Sequence, residues 1–576
     1  MDTINKKKHQ IASYIQLDDV SFDEIISLIT LPTEMDRGDL SLACFKLAKK
    51  LRSSPKDIAE KIANMVMLKQ KDVFDQVEAV NGYVNFKFNR ITSANLILRE
   101  VVSNREAYGN SCIGADKTIC IDYSSINIAK LMHIGHLSST VIGGALCKIY
   151  NKLGFKTVGI NHLGDWGTQF GKLIVAYRLW CEDKNPKGIN VSRLTELYVK
   201  FHAEAELDPG LNDQARSAFK DLENGDTECV RLFELFKKTT LDDVKEIYNK
   251  LHVEFDSYNG ESFYNDKMQP VLDELESLGL VKLSDGARVV DLSQYDMPPC
   301  LLVRTDGATL YATRDLAAAF YRKKAYDFYK CLYVVAYQQN LHFKQIFKVI
   351  ELSKKPWYND LVHVQFGMVS LEDGAMSTRR GNVVLLRDVL DRAVEKSLHV
   401  ISTKNPSLKD KETTAKIVGV GAVIFFALSN NRIKDTVFSY DKVLSFEGET
   451  APYVQYTNVR ALSILRKLNI EIDEYLSAPF TQIELASLSD SESEMLLTLI
   501  ERFPAILTDV IEKYEPSLLA RYILDLAKAF NRFYLENSIT NALKHQKRVR
   551  VAIVYATHIV IKEGLRLLGI EAPNEM

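Results

Sequence analysis

Two histidines, His133 and His136, lie three residues apart where the sequence predicts a turn between a strand and a helix. The apolar stretch 118–122 is typical of a short buried strand, and the apolar spacing of 137–153, followed by Gly154, predicts a helix. The amino end of a helix presents free N–H groups and the positive end of the helix dipole, which attract phosphate. The imidazoles could therefore bind a triphosphate and stabilise charge as pyrophosphate leaves. On their own they could equally be two ordinary residues on a helix face.

Strand and helix signals alternate from about residue 109, which predicts a parallel sheet with helices on both faces. Strands are expected at 118–122, 157–160, 301–303, 331–336 and 362–364. Residues 182–300 interrupt this rhythm with charged helical stretches and indicate a helical insertion between two halves of the sheet. The sequence thus predicts a Rossmann-like α/β domain over 109–404.

A different pattern flanks this region on each side. Helical periodicity over 45–67 and the alternation of 83–88 predict a small α+β domain at 1–108. From 405 to 576 the pattern is almost wholly helical, most clearly at 518–533 and 551–568, which predicts a helical bundle.

The composition argues against several classes of protein. Of 576 residues, 46% are hydrophobic, which suits a globular protein of about three or four domains. No apolar run reaches the roughly 18 residues that span a membrane, and the start MDTINKKKHQ lacks the apolar region of a secretory signal. The eight cysteines are scattered without a Cys-x-x-Cys pair, so neither a zinc knuckle nor a disulfide framework is expected. A cytoplasmic location is expected.

The net charge of −2 does not by itself indicate a nucleic-acid binder. Binding RNA would need local basic clusters, for which residues 6–8 and 544–550 are candidates. Each of these runs is more often a solvated surface.

The run IDYSSINIAKLMHIGH at 121–136, followed by NHLGDWGTQFG at 161–171, resembles the class I aminoacyl-tRNA synthetases and, among them, the arginyl-tRNA synthetase family. Further matching blocks, in the family's order, are LYATRDLAAA (310–319), YVVAYQQNLHF (333–343), FGMVSLEDGAMSTRRG (366–381), LSFEGETAPYVQY (444–456) and GIEAPNEM (569–576). The N-terminal hundred residues match more loosely, through RGDLSLACFKLAK (37–49) and VNGYVNFKFN (80–89).

The resemblance implies a class I catalytic domain, an N-terminal domain that contacts the tRNA elbow, and a C-terminal anticodon-binding bundle. It implies an arginine–tRNA ligase, which uses ATP to make arginyl-adenylate and transfers arginine to the 3′ end of tRNA(Arg), releasing AMP and pyrophosphate. In this family tRNA is generally needed even for activation of the amino acid, and the same is expected here.

The resemblance also implies where ATP binds. His133, Gly135 and His136 match the first ATP motif, with a catalytic role for both histidines, and Gly135 suits a close approach of the nucleotide to the backbone. Lys130 is expected to share in ATP binding and catalysis. Members of the family that lack the lysine of the second motif often carry one just before the first motif.

That second motif corresponds to AMSTRRG at 375–381, where Met376, Ser377 and Arg379 are the expected ATP contacts. Thr378 follows the serine in place of the usual lysine, and this departure is the reason to assign the charge to Lys130.

An arginine substrate sets strict demands on its pocket. A guanidinium is always charged, planar and rich in donors, so carboxylates must meet it in a fork geometry. By resemblance, the arginine-binding residues are Asp122, Asn127, His162, Tyr311, Asp315 and Gln339. Asp122, Tyr311 and Asp315 would face the guanidinium, and the last two are four residues apart, which places them on one face of a helix.

For tRNA, the resemblance points to Tyr453, Tyr456 and the terminal Met576. Tyrosine rings can stack on unpaired anticodon bases, although a pair at helical spacing more often packs in a core. Magnesium is expected to arrive with ATP, held by phosphates and water and without a protein-caged metal site. A monomer and no membrane partner are expected.

Two alternatives remain open from the sequence. One is a class I synthetase for another amino acid, such as cysteine or glutamine, although a neutral substrate gains nothing from two carboxylates. The other is a non-catalytic relative that kept the fold. Its only support is the missing second-motif lysine and Ser138, which stands where the family usually has arginine.

Overall fold

The computed structural model describes residues 3–32, 34, 37–70, 72–181, 189–371 and 384–576. The predicted ATP contacts Met376, Ser377 and Arg379 lie outside the described residues.

The N-terminal unit packs helices against an antiparallel sheet of strand order β1-β2-β4-β3. Its elements are α1 (Thr3–Tyr14), α2 (Phe22–Leu28), β1 (Ile29–Thr30), β2 (Leu40–Ala43), α3 (Ala48–Leu51), α4 (Pro55–Lys69), β3 (Phe74–Val80), β4 (Tyr83–Phe88) and α5 (Arg90–Asn104). The alternation over 83–88 is a strand, as predicted.

The helical periodicity over 45–67 corresponds to two helices, α3 and α4, with a break between them. The chain turns at Arg52, which has a left-handed backbone (φ 48°), and restarts at Ser54, whose side chain caps α4 by accepting from the Asp57 N–H. Pro55 in the first turn marks the same start, because proline fits the first turn of a helix.

The middle of the chain alternates strands and helices, as the sequence predicts. Its elements are β5 (Thr118–Asp122), α6 (Leu137–Lys152), β6 (Lys156–Ile160), α7 (Thr168–Trp180), α8 (Val191–Leu207), α9 (Gly210–Glu223), α10 (Thr227–Lys250), α11 (Met268–Ser277), β7 (Val281–Ser284), β8 (Ala287–Val290), β9 (Cys300–Val303), α12 (Tyr311–Tyr326), β10 (Lys330–Tyr333), α13 (Asn340–Leu352), β11 (Leu361–His363) and β12 (Val369–Leu371). Strands β11, β10, β5 and β6 form a parallel sheet in that order.

The insertion is only partly helical, which corrects the expectation for 182–300. Helices α8 to α10 are present, but β7 and β8 follow them and pair antiparallel with β9 in a separate three-stranded sheet. The strand predicted at 301–303 therefore exists, but it does not belong to the parallel sheet.

The C-terminal part is a helical bundle. Its elements are α14 (Leu386–Lys404), α15 (Lys411–Ser429), β13 (Thr436–Phe438), α16 (Tyr440–Val443), α17 (Ala451–Lys467), α18 (Ile472–Ser477), α19 (Gln482–Ala486), α20 (Ser491–Lys513), α21 (Ser517–Glu536) and α22 (Lys544–Leu567). The one departure from the helical pattern is β13, which pairs parallel with β12.

Helix α15 is the one described helix that is long and apolar enough to cross a membrane by length and composition, with a mean hydropathy of 1.4. Of the 18-residue stretch of this helix with that hydropathy, 61% is buried inside the protein. Its buried residues from Val420 to Leu428 belong to the same core as those of α6 and α22, as in the core helix of a globular bundle, while Ala415 and Val418 pack in a smaller cluster with Ile401 and Leu408.

Short 3₁₀ segments connect several of these elements. They are Cys44–Leu47, Arg105–Ala107, Ile134–His136, Glu261–Lys267, Ser293–Tyr295, Tyr337–Gln339 and Tyr358–Asp360. Ile134–His136, Glu261–Lys267 and Tyr337–Gln339 lie beyond the carboxyl ends of the parallel strands, where ligands bind in open α/β sheets.

Candidate active site

The two histidines form a compact turn at the amino end of α6. The Gly135 N–H donates to His133 Nδ1 (3.1 Å), and the His133 N–H donates to His136 Nδ1 (3.2 Å). The ring centroids lie 4.0 Å apart. Because His133 Nδ1 accepts a hydrogen bond, its neutral ring carries the proton on Nε2 and can donate away from the turn. His136 Nδ1 also lies 3.2 Å from the His133 carbonyl, so its role in these two contacts depends on which ring nitrogen carries the proton.

Both histidines favour the neutral state. Burial, and the neighbouring His133, lower the pKa of His136 to about 4. Burial and the charge of Lys130 also lower the pKa of His133. Lys130 is exposed and close enough to affect both rings. The turn therefore combines neutral donors with one nearby cation, a suitable arrangement for polyphosphate.

The loop between β5 and this turn has an unusual backbone. Ser124, Ser125 and Ala129 all adopt left-handed conformations, with φ of 69°, 46° and 60°. Non-glycine residues rarely do so, and clusters of them occur where function fixes the chain. The Thr140 hydroxyl joins the two ends of the loop, 2.7 Å from the His136 carbonyl and 2.9 Å from Ser124 Oγ.

The far side of the histidine turn is held by the chain that follows the second predicted motif. The Ile134 N–H donates to the Val384 carbonyl (3.1 Å), and the Leu386 N–H donates to the Met132 carbonyl (3.0 Å). These two bonds bring residues 384–386 alongside the turn.

Asp122, the last residue of β5, is buried and already has partners. Arg322 Nη2 donates to its Oδ2 (2.8 Å), and Ser125 Oγ donates to its Oδ1 (2.9 Å). The same Nη2 lies 3.3 Å from Nδ1 of His162, which follows the end of β6. Asp122 is predicted by resemblance to face the substrate guanidinium, and in the structure its carboxylate already accepts from the internal guanidinium of Arg322.

Asp315 lies one turn into α12, where helical spacing placed it with Tyr311. His342 Nε2 donates to its Oδ2 (2.6 Å). Burial alone would raise the pKa of Asp315, but the bond from His342 and the nearby His162 and Arg322 lower it, so the carboxylate stays charged. Tyr311 is 65% exposed, so its ring is open to a ligand.

The structure brings Asp122, His162 and Asp315 into one cluster. His162 responds electrostatically to both carboxylates and to Arg322, although burial has the largest influence and lowers its pKa. Its ring stacks on Tyr264 with centroids 5.5 Å apart. Two further predicted residues, Asn127 and Gln339, are exposed in loops after β5 and β10, at the same edge of the sheet.

Further residues lie beside this cluster, among them Asp165 and Trp166 of the block at 161–171 and Glu261, which sequence reasoning did not single out. Asp165 is buried and accepts bonds from Lys237 Nζ (2.8 Å) and from the Ser262 N–H and hydroxyl (2.8 Å each). Beside it, burial raises the pKa of Glu261 to about 7. Trp166 packs edge-on against Phe219 (5.3 Å), which favours its interpretation as a core residue.

Among the described residues, no group of three or more His, Cys, Asp or Glu side chains is arranged to hold a metal ion. The carboxylates of the cluster are instead paired with Arg322, Lys237 and His342.

The residues expected to meet tRNA lie in the helical bundle, far along the chain. Tyr456 is 42% exposed, with the Arg460 guanidinium 5.0 Å from its ring centre. The Tyr453 hydroxyl accepts from Asn531 Nδ2 (2.9 Å), and its side chain is half-buried. The Met576 carbonyl accepts from Asn405 Nδ2 (3.2 Å).

In the basic run 544–550, Arg548 is tied to Glu484 (2.7 Å) and Arg550 donates to the Ser538 carbonyl (2.8 Å). These two arginines therefore have internal partners.

Comparison with known families agrees with the division of the chain into an N-terminal unit, an α/β region and a helical bundle. Residues 97–440 match the family of class I tRNA synthetases (R), catalytic domain, and residues 3–88 match the arginyl tRNA synthetase N-terminal domain. Residues 454–576 match the DALR anticodon binding domain. The chain belongs to the arginyl-tRNA synthetase family.

Individual arginyl-tRNA synthetases are similar over nearly the whole chain. The arginine–tRNA ligases of Alkaliphilus metalliredigens (strain QYMF) and Clostridioides difficile (strain 630) are each 48% identical over 561 residues, covering 97% of this chain and 98% of the relative. The structure of the Plasmodium falciparum enzyme shares the fold, with a TM-score of 0.81 at 24% identity over all of both chains. The Thermus thermophilus enzyme gives 0.79 at 23% identity, over 100% of this chain and 99% of that one.

These matches confirm the family and the fold predicted from the sequence. A class I catalytic domain lies between an N-terminal domain and a helical DALR domain. The domain boundaries at 108 and 404 and the roles of individual site residues stay predictions.

Proposed function

We propose that the cleft at the carboxyl edge of the parallel sheet joins arginine to tRNA(Arg). As a member of this family, the chain is an ATP-dependent ligase that charges tRNA with arginine. In the first step the arginine carboxylate attacks the α-phosphate of ATP, which forms arginyl-adenylate and releases pyrophosphate. In the second, a hydroxyl of the terminal ribose of tRNA attacks the arginyl carbonyl and AMP leaves.

One observation supports placing the ATP subsite and the arginine subsite in the same cleft. Thr140 links Ser124, two residues after Asp122, to His136 of the histidine turn through two short hydrogen bonds. The carboxylate cluster and the anion-attracting turn are thus neighbours. An amino acid held by the cluster would present its own carboxylate toward a phosphate held at the turn, and such positioning supplies much of the rate in phosphoryl chemistry.

In the ATP subsite, His133 and His136 donate from Nε2 to the phosphates, and Gly135 leaves room for the nucleotide. Lys130 supplies the positive charge, as expected where the second motif lacks lysine. These groups oppose the negative charge that builds on the leaving pyrophosphate. Met376, Ser377 and Arg379 complete this subsite by resemblance. Magnesium is proposed to enter with ATP, bound through phosphate and water.

In the arginine subsite, Asp315 and Tyr311 on α12 bind the guanidinium. Asp122 and His162 line the buried end of this subsite. Asn127 and Gln339 bind the amino and carboxyl end. A pocket built to pair a guanidinium discriminates strongly, because a smaller or neutral side chain leaves buried carboxylate oxygens without partners.

In the tRNA subsite, Tyr456 supplies an exposed ring for an unstacked base, with Tyr453 one turn before it on the same helix and Met576 elsewhere on the bundle. Amino-acid activation is proposed to need tRNA. The enzyme is proposed to act as a monomer in the cytoplasm.

The test is aminoacylation of tRNA(Arg) with each of the twenty amino acids, alongside ATP–pyrophosphate exchange with and without tRNA. Charging with arginine alone, and exchange that needs tRNA, are the expected results. Lys130→Ala should lower the rate at least 100-fold, whereas Lys156→Ala, an exposed lysine at the opposite edge of the sheet, should not. Charging with another amino acid, or full activity in Lys130→Ala, would contradict the proposal.

A further inference from the structure

Arg322 is the largest fully buried side chain of the described residues, with 1% of its surface exposed. It lies on α12, seven residues after Asp315 and eleven after Tyr311. At 3.6 residues per turn these spacings keep all three on one face of the helix, the face that looks into the carboxylate cluster. Nothing in the predicted site assigns Arg322 a role.

Two polar contacts of its guanidinium are made through one nitrogen. Nη2 donates to Asp122 Oδ2 at 2.8 Å and lies 3.3 Å from His162 Nδ1. The guanidinium carbon lies 5.3 Å from the centre of the Tyr333 ring, a cation–π distance. One arginine thus holds two of the six residues assigned to arginine binding, while a third lies two turns away on the same helix.

These contacts fix the protonation and orientation of their partners. His162 accepts at Nδ1, so its neutral ring carries the proton on Nε2. The Asp122 carboxylate receives one bond on each oxygen, from Arg322 and from Ser125, which sets its plane. Burial would lower the pKa of Arg322, but the adjacent Asp122 raises it well above its ordinary value, so the guanidinium is permanently charged.

The formal charges of Asp122, Asp315 and Arg322 sum to a single negative charge, beside Glu261, whose pKa of about 7 leaves it partly protonated near neutral pH. Asp122 and Asp315 contribute −1 each and Arg322 contributes +1, while Asp165 is balanced by Lys237. A substrate guanidinium brings the sum to zero. Without Arg322 the pocket would hold −2 against a ligand of +1, and a buried carboxylate left unpaired is strongly unfavourable.

We propose that Arg322 is a positioning residue for arginine recognition, which rests on the proposed function. It orients Asp122 and His162 and matches the net charge of the pocket to one guanidinium. It acts through these two residues, from behind the pocket, and does not touch the substrate. Apolar residues of similar volume are often as stabilising as a buried ion pair, so stability alone does not account for Arg322 and Asp122.

The first test compares Arg322→Gln with Lys324→Gln, which removes the same charge from an exposed position on the same helix. Arg322→Gln should raise the KM for arginine by about 10- to 100-fold, the loss expected for one charge-assisted hydrogen bond. The KM values for ATP and tRNA should stay within about twofold of those of Lys324→Gln. Arg322→Lys, which keeps the charge, should recover part of the loss.

A purely structural role would raise the three KM values together, and an idle residue would leave the KM for arginine at the Lys324→Gln value. Either result overturns the proposal. Arginine charging by the unaltered enzyme tests the proposed function separately, so a failure of that function is recognised before any variant is compared.

A double-mutant cycle decides the case even if Arg322→Gln does not fold. In Asp122→Asn with Arg322→Gln no buried carboxylate is left unpaired, so this double variant is expected to fold and to match Asp122→Asn in its KM for arginine to within about threefold. A double variant at least tenfold worse than Asp122→Asn shows that Arg322 acts independently of Asp122, and the proposal fails.

Discussion

Single side chains determine the charge of the proposed arginine pocket, and Asp315 is the one most directly open to test. Its carboxylate is charged, lies on the same face of α12 as the exposed Tyr311, and has one described hydrogen bond, to His342. We predict that Asp315→Asn raises the KM for arginine about 10- to 100-fold, because a charge-assisted hydrogen bond becomes a neutral one. The KM for ATP should change little.

The matched control is Asp327→Asn, at the carboxyl end of the same helix. Asp327 is exposed and has a left-handed backbone (φ 42°), which asparagine also adopts readily. Steady-state kinetics with arginine as the varied substrate should separate the two variants. Equal KM values for both would contradict the role given to Asp315.

A second residue, His558 on α22, should make stability depend on pH. Burial lowers its pKa to about 4, and its Nδ1 donates to Asn458 Oδ1 (2.8 Å). The unfolded chain, with an ordinary histidine pKa near 6.5, binds more protons between pH 6.5 and 4. The stability that His558 provides is therefore complete above about pH 6.5 and is lost as the pH falls toward 4.

His558→Gln should weaken this dependence by up to about 1.4 kcal/mol per pH unit, the value for one proton. Urea unfolding between pH 4.5 and 7.5 measures it. His545→Gln, at an exposed position of the same helix, is the control and should keep the full slope. A slope in His558→Gln identical to that of the control would rule out the buried neutral histidine as a source of acid sensitivity.

At the scale of elements, the contact between α6 and the chain after β5 positions the loop of the histidine turn. A Cβ on Gly143 would lie 2.2 Å from Cγ of Tyr123, whose hydroxyl donates to the Glu254 carbonyl (2.7 Å). We predict that Gly143→Ala destabilises the protein by about 1–3 kcal/mol, since overpacking outweighs the better helix propensity of alanine. The KM for ATP should rise as well, because Tyr123 begins the loop that leads to His133.

Gly144→Ala is the comparison, since the atom nearest to its Cβ would be a methyl carbon of Val253 at 2.8 Å, and the next would lie at 3.8 Å. Chemical denaturation should show a smaller loss for Gly144→Ala than for Gly143→Ala. A larger loss of stability for Gly144→Ala than for Gly143→Ala would show that the contact with Tyr123 is not the more tightly packed of the two.

The elements also show what a sequence can and cannot predict. Strands β5, β6, β10 and β11 were predictable because buried parallel strands are short apolar runs separated by helices. The run at 301–303 looks the same, yet β9 pairs antiparallel with β8, because an apolar run does not specify its partner. The break at Arg52 was signalled by Ser54 and Pro55, a helix start inside an apparently continuous pattern.

Some residues of the site could likewise be predicted from the sequence and others could not. The histidine turn and the pair Tyr311 and Asp315 follow from motif and spacing. Arg322 was missed because most arginines are exposed, and local sequence does not show that Asp122, 200 residues earlier in the chain, will neutralise it. The spacing of seven from Asp315 is the signal that could have found it.

At the scale of the whole molecule, a buried ion pair joins the N-terminal unit to the C-terminal bundle. Lys7 on α1, 1% exposed, lies 2.8 Å from Glu501 on α20, and its ammonium lies 4.9 Å from the centre of the Phe88 ring. We predict that Lys7→Met destabilises the chain by about 3–5 kcal/mol, because it leaves Glu501 buried without its partner. The KM values for arginine and ATP should stay near those of the unaltered enzyme.

The adjacent Lys6 provides the control, since its side chain is half exposed and its ammonium makes a longer contact with Glu100, at 3.7 Å. Lys6→Met should unfold at nearly the same urea concentration as the unaltered protein, as expected for a surface pair. Combining Lys7→Met with Glu501→Met should recover much of the lost stability. No difference between Lys6→Met and Lys7→Met would show that the ion pair does not hold the units together.

The most direct test of the whole account is an experimental structure with L-arginine and a non-hydrolysable ATP analogue bound. The account predicts the guanidinium within hydrogen-bond distance of Asp315, with Arg322 still on Asp122, and the triphosphate against Nε2 of His133 and His136. Arginine bound elsewhere, with Asp315 still engaged only by His342, would contradict it.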